Sequence, residues 1–411
     1  MNAYYFFVVL ISLAAVFSYI NTRFIKLPFV IGLFLLSTLL SILVISARFW
    51  YPASAAQLQS IATPDMISKV VLEVLLGPLL FAGALHTDWQ QLRHQIRSIA
   101  AFALGGVLFS TMFIALAFYG IALALGIQAD FIYCLLFGAL ISPTDPIAVL
   151  GILTKAGVPK RVESIIVGES LFNDGVGVVV FLSILHMLYN GGGSHFQFDA
   201  FGFLFLREAV GGILWGLGSG FLLHWLIRSI DHYETEVLLT LAFATGGYWL
   251  ANQLHLSGPL AMVVMGLLTG NYKEEEAMND HTRDYMHKFW ELVDVILNAV
   301  LFILIAFVLL FIAFKTTVIL LGLSSIIIVL LSRLVLVYGA AALFPRLFGL
   351  SRLDARIITW GGLRGGLSLA MVLSLPDSDM KSMLMVATYC CVLFSIIIQG
   401  LTIGRVAQSK P

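Results

Sequence analysis

The sequence predicts an all-α polytopic membrane protein of about thirteen transmembrane helices, built as two inverted six-helix repeats with two crossing broken helices. Mean hydropathy is +0.98, and 60% of the 411 residues are hydrophobic while 11% are charged, which excludes an ordinary soluble domain. The apolar residues fall in blocks of roughly 20, the helical length that crosses a bilayer. Lys and Arg gather in alternate connections between those blocks, as in helical membrane proteins. Long alternation of polar and apolar residues, the mark of a membrane barrel, is absent. The longest polar stretch, 271–288, is too short for a separate domain, and a net charge of +0 points to no charged partner.

In chain order the blocks fall at approximately 3–20, 28–47, 66–85, 98–126, 130–153, 164–190, 203–227, 234–253, 258–270, 286–312, 316–343, 353–375 and 381–405. The first has no basic segment before it and reads as a retained helix, not a cleaved signal. One set of loops holds sixteen cationic residues: Arg23, Lys26, Arg93, Arg97, Lys155, Lys160, Arg161, Arg228, Lys273, Arg283, Lys288, Arg346, Arg352, Arg356, Arg405 and Lys410. The other set holds three, Arg48, Lys315 and Lys381. That asymmetry puts the amino terminus outside and the carboxyl terminus in the cytoplasm.

An odd span count permits two halves of opposite orientation joined by a linker, here the seventh span. Two spans at matching places are interrupted. The fifth carries Ser142-Pro143-Thr144-Asp145-Pro146, where each proline removes a backbone donor and clashes with the turn before it. The twelfth carries Gly361-Gly362-Leu363-Arg364-Gly365-Gly366, where glycine makes a break inexpensive. Non-helical backbone at this depth is tolerated only when buried in protein or lining water. Gly212, Gly216 and Gly220 in the seventh span predict close helix packing and no chemistry.

The sixth span sets Glu169, Ser170, Asn173 and Asp174 into an apolar helix, with Gly168, Gly175 and Gly177 allowing other backbones close. Ionisable groups at bilayer depth are costly and mark ion pathways by default. A site with one free carboxylate is neutral when it holds a monovalent cation or a proton, and charged when empty. Such a carrier crosses readily only when loaded, which couples one cation to one proton in opposite directions. Asp174 is the candidate, with Asn173 a neighbour that hydrogen-bonds but cannot titrate. The hydroxyls of Thr144 and Ser170 and freed carbonyls near Thr144 complete an oxygen shell for a hard cation. Glu169 needs a partner, and Arg364 is the expected one. Asp145 is expected near the amino end of a half-helix, hydrogen-bonded to Asn173.

Other polar groups carry plainer expectations. Glu73 is divided evenly between lining the site and facing outward. Glu291 and Asp294, before Asn298, are read as a solvated helix end or a structural hydrogen bond ahead of ion binding. Arg207, Glu208 and Arg333 are read as interfacial or helix-pairing groups. The histidines show no metal-ligand spacing; His86, His94 and His287 are the candidates for a pH sensor. Cys134, Cys390 and Cys391 lie in apolar spans as packing residues.

Together, Ser142–Pro146, Gly168-Glu169-Ser170-Leu171-Phe172-Asn173-Asp174-Gly175 and Gly361–Gly366 resemble the signatures of the monovalent cation:proton antiporter superfamily. The Asn173-Asp174 pair is similar to its electroneutral sodium/proton exchangers, the NhaP-type branch. The resemblance implies an electroneutral Na+ (or Li+)/H+ antiporter, working by alternating access with cation and proton competing for Asp174. It implies a homodimer in the cell inner membrane and no cofactor beyond the transported ions. Core helices at approximately 98–190 and 316–405 would move against dimerisation helices at approximately 3–85 and 234–312, with 203–227 as the linker. It puts the cation ligands on Thr144, Ser170 and Asp174, with Arg364 holding Glu169 and Asp145 supporting Asn173. Many relatives carry an acid after the Pro78-Leu79-Leu80-Phe81 run, where this chain has Ala82. The alternatives are K+/H+ exchange, a cation channel, and an intramembrane hydrolase built on Asp145 and Asp174.

Overall fold

Lipid offers no partner for a backbone N–H or C=O, so a chain this apolar must close its hydrogen bonds within helices. The computed structural model describes residues 3–47, 63–190, 198–271, 280–312 and 316–408, and these contain helices and no strand. In order the principal ones are α1 (Ala3–Ile20), α2 (Phe29–Ala47), α3 (Pro64–Leu85), α4 (Ile96–Ala124), α5 (Phe131–Ile141), α6 (Ile147–Lys155) and α7 (Lys160–Asn190). Then follow α8 (Phe198–Arg228), α9 (Tyr233–Gln253), α10 (Gly258–Asn271), α11 (Asp280–Phe307) and α12 (Thr316–Leu343). The chain ends with α13 (Arg352–Trp360), α14 (Gly366–Leu373) and α15 (Asp379–Gln408).

Among the described residues, nine helices are long and apolar enough to cross a membrane. The shorter or more polar α9 and α10, and the interrupted pairs α5–α6 and α13–α14, complete the thirteen passes that the sequence predicts. Arg48, Lys273, Lys315 and Lys410 of the loop-charge pattern lie outside the described residues. Helix starts follow local chemistry. Thr63 caps α3 through Met66 N, with Pro64 in the first turn where its missing donor costs nothing. Ser351 and Asp354 form a reciprocal capping box on α13.

Two groups of helices pack internally. One joins α1, α2, α3, α9, α10 and α11, and α8 lies against α10 beside it. The other joins α4, α5, α7, α12, α14 and α15. The glycine stripe of α8 acts as its spacing predicts. A Cβ on Gly212 would stand 2.6 Å from Ser257 O, and one on Gly216 would stand 2.5 Å from Ala261 O. Neither fits without a backbone shift, so the stripe sets how closely α8 lies on α10. Cys134 and Cys391 are buried and Cys390 half-buried, all as free thiols inside helices, the packing role expected of them.

The stripe can be tested against its own helix. A Cβ on Gly218, also on α8, would meet nothing within 4 Å. Gly216→Ala is expected to lower stability by about 1–3 kcal/mol, the usual cost of overpacking, while Gly218→Ala leaves the thermal midpoint in detergent unchanged.

Candidate functional site

The site begins with a hydrogen-bond deficit. Between α5 and α6, residues 142–146 leave the helix, and two of the five are prolines. The carbonyl of Ser142 would ordinarily accept from the N–H four residues on, but that residue is Pro146. The carbonyl of Pro143 loses its partner as well, because Ile147 N donates to Asp145 Oδ1 at 3.0 Å. Arg364, buried in the opposite interruption, supplies both: its Nη1 donates to Ser142 O and, at 3.0 Å, to Pro143 O. The Thr144 carbonyl accepts from Ser170 Oγ on α7. Of the free donors, Asp145 N bonds to Leu363 O at 2.8 Å, tying one break to the other, and Thr144 N reaches Asn173 Oδ1 at 3.3 Å. Every N–H that this extended stretch possesses is thereby used.

The second break is held similarly. Arg333 on α12 donates through Nε and Nη2 to Ile358 O, at 3.3 and 3.2 Å, in the last turn of α13. There a cation also meets the negative end of the helix dipole. The same guanidinium forms a two-pronged pair with Glu169, Nη1 to Oε1 and Nη2 to Oε2, the latter at 2.8 Å. Both side chains are buried.

The glycines of this segment serve for space rather than torsion: none of Gly361, Gly362, Gly365 and Gly366 has positive φ. A Cβ on Gly365 would stand 2.2 Å from Asp145 Oδ2, and one on Gly362 would stand 2.7 Å from Arg333 Nε. On α7, a Cβ at Gly177 would stand 2.2 Å from Pro143 Cγ.

A cleft of about 670 Å3 runs to this crossing. Asp174, Ser170, Asp145 and Gly365 line its inner part, and Thr87, Asp88, Gln91 and Glu163 line it near helix ends. Asp88 caps the short helix Trp89–His94 there. Slight burial works against its charge, but the Gln91 side chain and the Gln91 and Gln90 backbone N–H groups hold its carboxyl below the usual range.

All seven residues singled out from the sequence meet at the crossing, with two changes of partner. Glu169 pairs with Arg333, not with Arg364, whose guanidinium is occupied by the carbonyls that the prolines release. Asn173 bonds to Thr144 through both amide atoms, including Nδ2 to Thr144 Oγ1 at 2.9 Å, while Asp145 turns to Ile147 N. Thr144 is buried and is not among the cleft-lining residues, whereas Ser170 and Asp174 open on the cleft. Successive helical residues point about 100° apart, which separates Ser170 and Asp174 from Glu169 and Asn173. Glu73 is exposed and away from the cleft, the outward of its two expected places. His86 lines the cleft with its ring 5.4 Å from that of His287. Arg333 is the helix-pairing group expected of it, but its partner Glu169 was not foreseen; its one signal was a charge deep within the otherwise apolar or small residues of α12.

A family model described as "Sodium/hydrogen exchanger, transmembrane" matches residues 10–409. The Na(+)/H(+) antiporter NhaP of Pseudomonas aeruginosa is 46% identical over 404 residues, covering 97% of this chain and 95% of that protein. The Na(+)/H(+) antiporter NhaH of Halobacillus aidingensis is 34% identical, covering 85% of each. Among solved structures, the sodium proton antiporter MjNhaP1 from Methanocaldococcus jannaschii superposes with a TM-score of 0.75 at 19% identity, covering 97% of this chain and 96% of that one, a match of fold.

The Glu169–Arg333 pair yields a double-mutant test. Arg333→Met strands a buried carboxylate and is expected to cost about 3–5 kcal/mol. Adding Glu169→Gln removes that charge and is expected to restore much of the loss, read as thermal midpoints in detergent.

Proposed function

We propose an electroneutral exchange mechanism for this chain, which belongs to the sodium/hydrogen exchanger family: one Na+ or Li+ is traded for one proton, and both compete for Asp174. The observation that carries this reading is the charge balance around the crossing. Glu169, Asp145 and Asp174 contribute three carboxylates, and Arg333 and Arg364 contribute two guanidiniums. One negative charge is left over. A single monovalent cation or a single proton cancels it, and an uncancelled charge is costly to carry through a low-dielectric barrier. Of the three acids, Glu169 is spent on Arg333 and Asp145 accepts from Ile147 N, which leaves Asp174 as the exchanging group. Ser170 Oγ beside it on the cleft supplies a neutral oxygen, and Thr144, Asn173 and Arg364 hold the backbone that frames them.

Orientation follows from the loop charges. Arg93, Arg97, Lys155, Lys160 and Arg161 lie close in sequence to Asp88 and Glu163, which line the cleft near helix ends. The excess of Lys and Arg in cytoplasmic loops supports reading that face as cytoplasmic and the cleft as open inward. In the cell inner membrane, the group containing α4–α7 and α12–α15 would move against α1–α3 and α9–α11. The protein then works as a secondary transporter, with the second group forming the interface of a homodimer.

Reconstituted vesicles supply the test. A proton flux is expected on adding Na+ or Li+, with K+ as the comparison, and it should be insensitive to imposed voltage. Conduction without a proton gradient would point to a channel. Asp174→Asn is expected to abolish exchange with an unchanged thermal midpoint, and retained exchange removes Asp174 from the mechanism. Competition further requires the apparent KM for Na+ to rise as the medium is acidified while the saturating rate holds.

A further inference from the structure

The wall of the cleft facing Asp174 contains a polar cluster that the exchange reading leaves unused. Helix α11 lines the cleft with Glu291, Asp294 and Leu301, positions that share a helical face. Farther along, Leu301 and Ile305 pack on Gly366 at the second break, so this face leads to the crossing itself. Asn298 lies between and is buried. Its Nδ2 donates to the Asp294 carboxylate at 3.0 Å and to the Asp294 carbonyl at 2.9 Å. Its own amide oxygen, Oδ1, is buried with no hydrogen-bond partner among the described residues.

A buried amide oxygen is nearly always satisfied, and leaving one unmade is costly. Here that oxygen belongs to an amide held against a carboxylate that opens on the cleft. An anionic oxygen on the wall and a neutral carbonyl-type oxygen buried directly behind it are the kinds of donor that a hard monovalent cation takes as it sheds water. Asp294 is near enough to Asp145 for their charges to interact, and Asp145 stands in the same relation to Asp174. The acids thus form a stepped path from wall to crossing. His86 on α3 faces Asp294 from the other side and offsets its field when protonated; Glu291 adds to that field from the same helix.

We propose that Asp294 on the wall of the cleft, with Asn298 buried behind it, forms a second, transient Na+ or Li+ site, from which the ion passes to Asp174. The inference rests on Asp174 being the exchanging group and on the cleft being the cytoplasmic path. Asp294 concentrates the cation at the mouth of the path and Asn298 orients the carboxylate and lends its amide oxygen. A lined, low-dielectric cleft of one charge sign raises local ion concentration and capture rates by about 10–1000-fold. Because the second site lies on the approach from one side only, its loss should be felt from one side only.

Everted and right-side-out membrane vesicles holding the full chain separate the two faces. At about pH 8, where an ordinary histidine is uncharged, Asp294→Asn is expected to raise the apparent KM for Na+ at the cytoplasmic face at least about fivefold. The saturating rate and the KM at the opposite face should stay as they were. Asn298→Leu should shift the same KM in the same direction, and Asp294→Glu, which keeps the charge, should restore it. An unchanged cytoplasmic KM, an equal rise at both faces, or a fall in saturating rate alone would overturn the second site. None of these outcomes touches Asp174, whose role fails only if Asp174→Asn still exchanges in the same vesicles.

Discussion

The backbone that two prolines release at bilayer depth must find partners inside the protein, and the rest of the site follows from how it does so. Lipid supplies none, and an unpaired buried carbonyl costs about 1–3 kcal/mol. Arg364 answers two of the released carbonyls and Ser170 a third, while Asn173 and Leu363 take the two free N–H groups. Most polar side chains at the crossing are therefore committed to holding an extended segment in place. That commitment makes the site preorganised, since the released backbone groups are satisfied before any ion arrives. No such duty consumes Asp174, the group for which we propose exchange.

Satisfaction of the backbone also dictates the charge. Each arginine brought in to serve carbonyls carries a full positive charge into a poorly solvating interior. A buried charge is tolerated when paired and hydrogen-bonded. Arg333 meets that condition directly through Glu169, and the Ile358 carbonyl absorbs its remaining donors. Among the described residues Arg364 has no carboxylate in contact and leans on carbonyl dipoles instead, with Nε left without a partner. Its charge is balanced at longer range by the acids on the cleft. The excess of one negative charge, on which the proposed exchange rests, is thus a residue of structural bookkeeping as much as a dedicated feature.

The fold was legible in the sequence because hydropathy and the loop charges report on the same spans independently. Both interruptions were legible too, since Pro143 and Pro146 cannot propagate a helix and Gly361–Gly366 need not. Partner choice was not. The repeat symmetry suggests that Arg364, in the second break, reaches Glu169 near the first, but the prolines create a nearer and more urgent demand for its donors. Arg333 is 164 residues from Glu169 and sits in an uninterrupted helix, where nothing local distinguishes a pairing arginine from a snorkelling one. Asn173 goes to Thr144 and not to Asp145 for a related reason: Asp145 is drawn to Ile147 N, the first donor of α6 that lacks a helical acceptor. The glycines mislead in the opposite way. Their torsional freedom is unused, and what Gly365 and Gly366 provide is room for Asp145 on one side and Ile305 on the other.

That last contact bears on movement. Where the second break meets α11, the meeting is between a glycine and the ends of Leu301 and Ile305; where α7 meets α10, Leu260 packs against Gly175. Apolar contacts of this kind are non-directional, so their energy changes little when one surface slides along another. Within the crossing the contacts are directional: Asp145 N to Leu363 O, the arginine–carbonyl bonds and the Glu169–Arg333 fork all lose energy steeply on displacement. A directional bond also crosses between the groups, from Ser68 Oγ on α3 to Ala370 O on α14 at 2.9 Å, and any large displacement has to break it. The two broken helices are thus bound more firmly to each other, to α7 and to α12 than to the wall beside them. A displacement that keeps the ion cradle intact while changing which side it faces is the one that this distribution of bonds resists least.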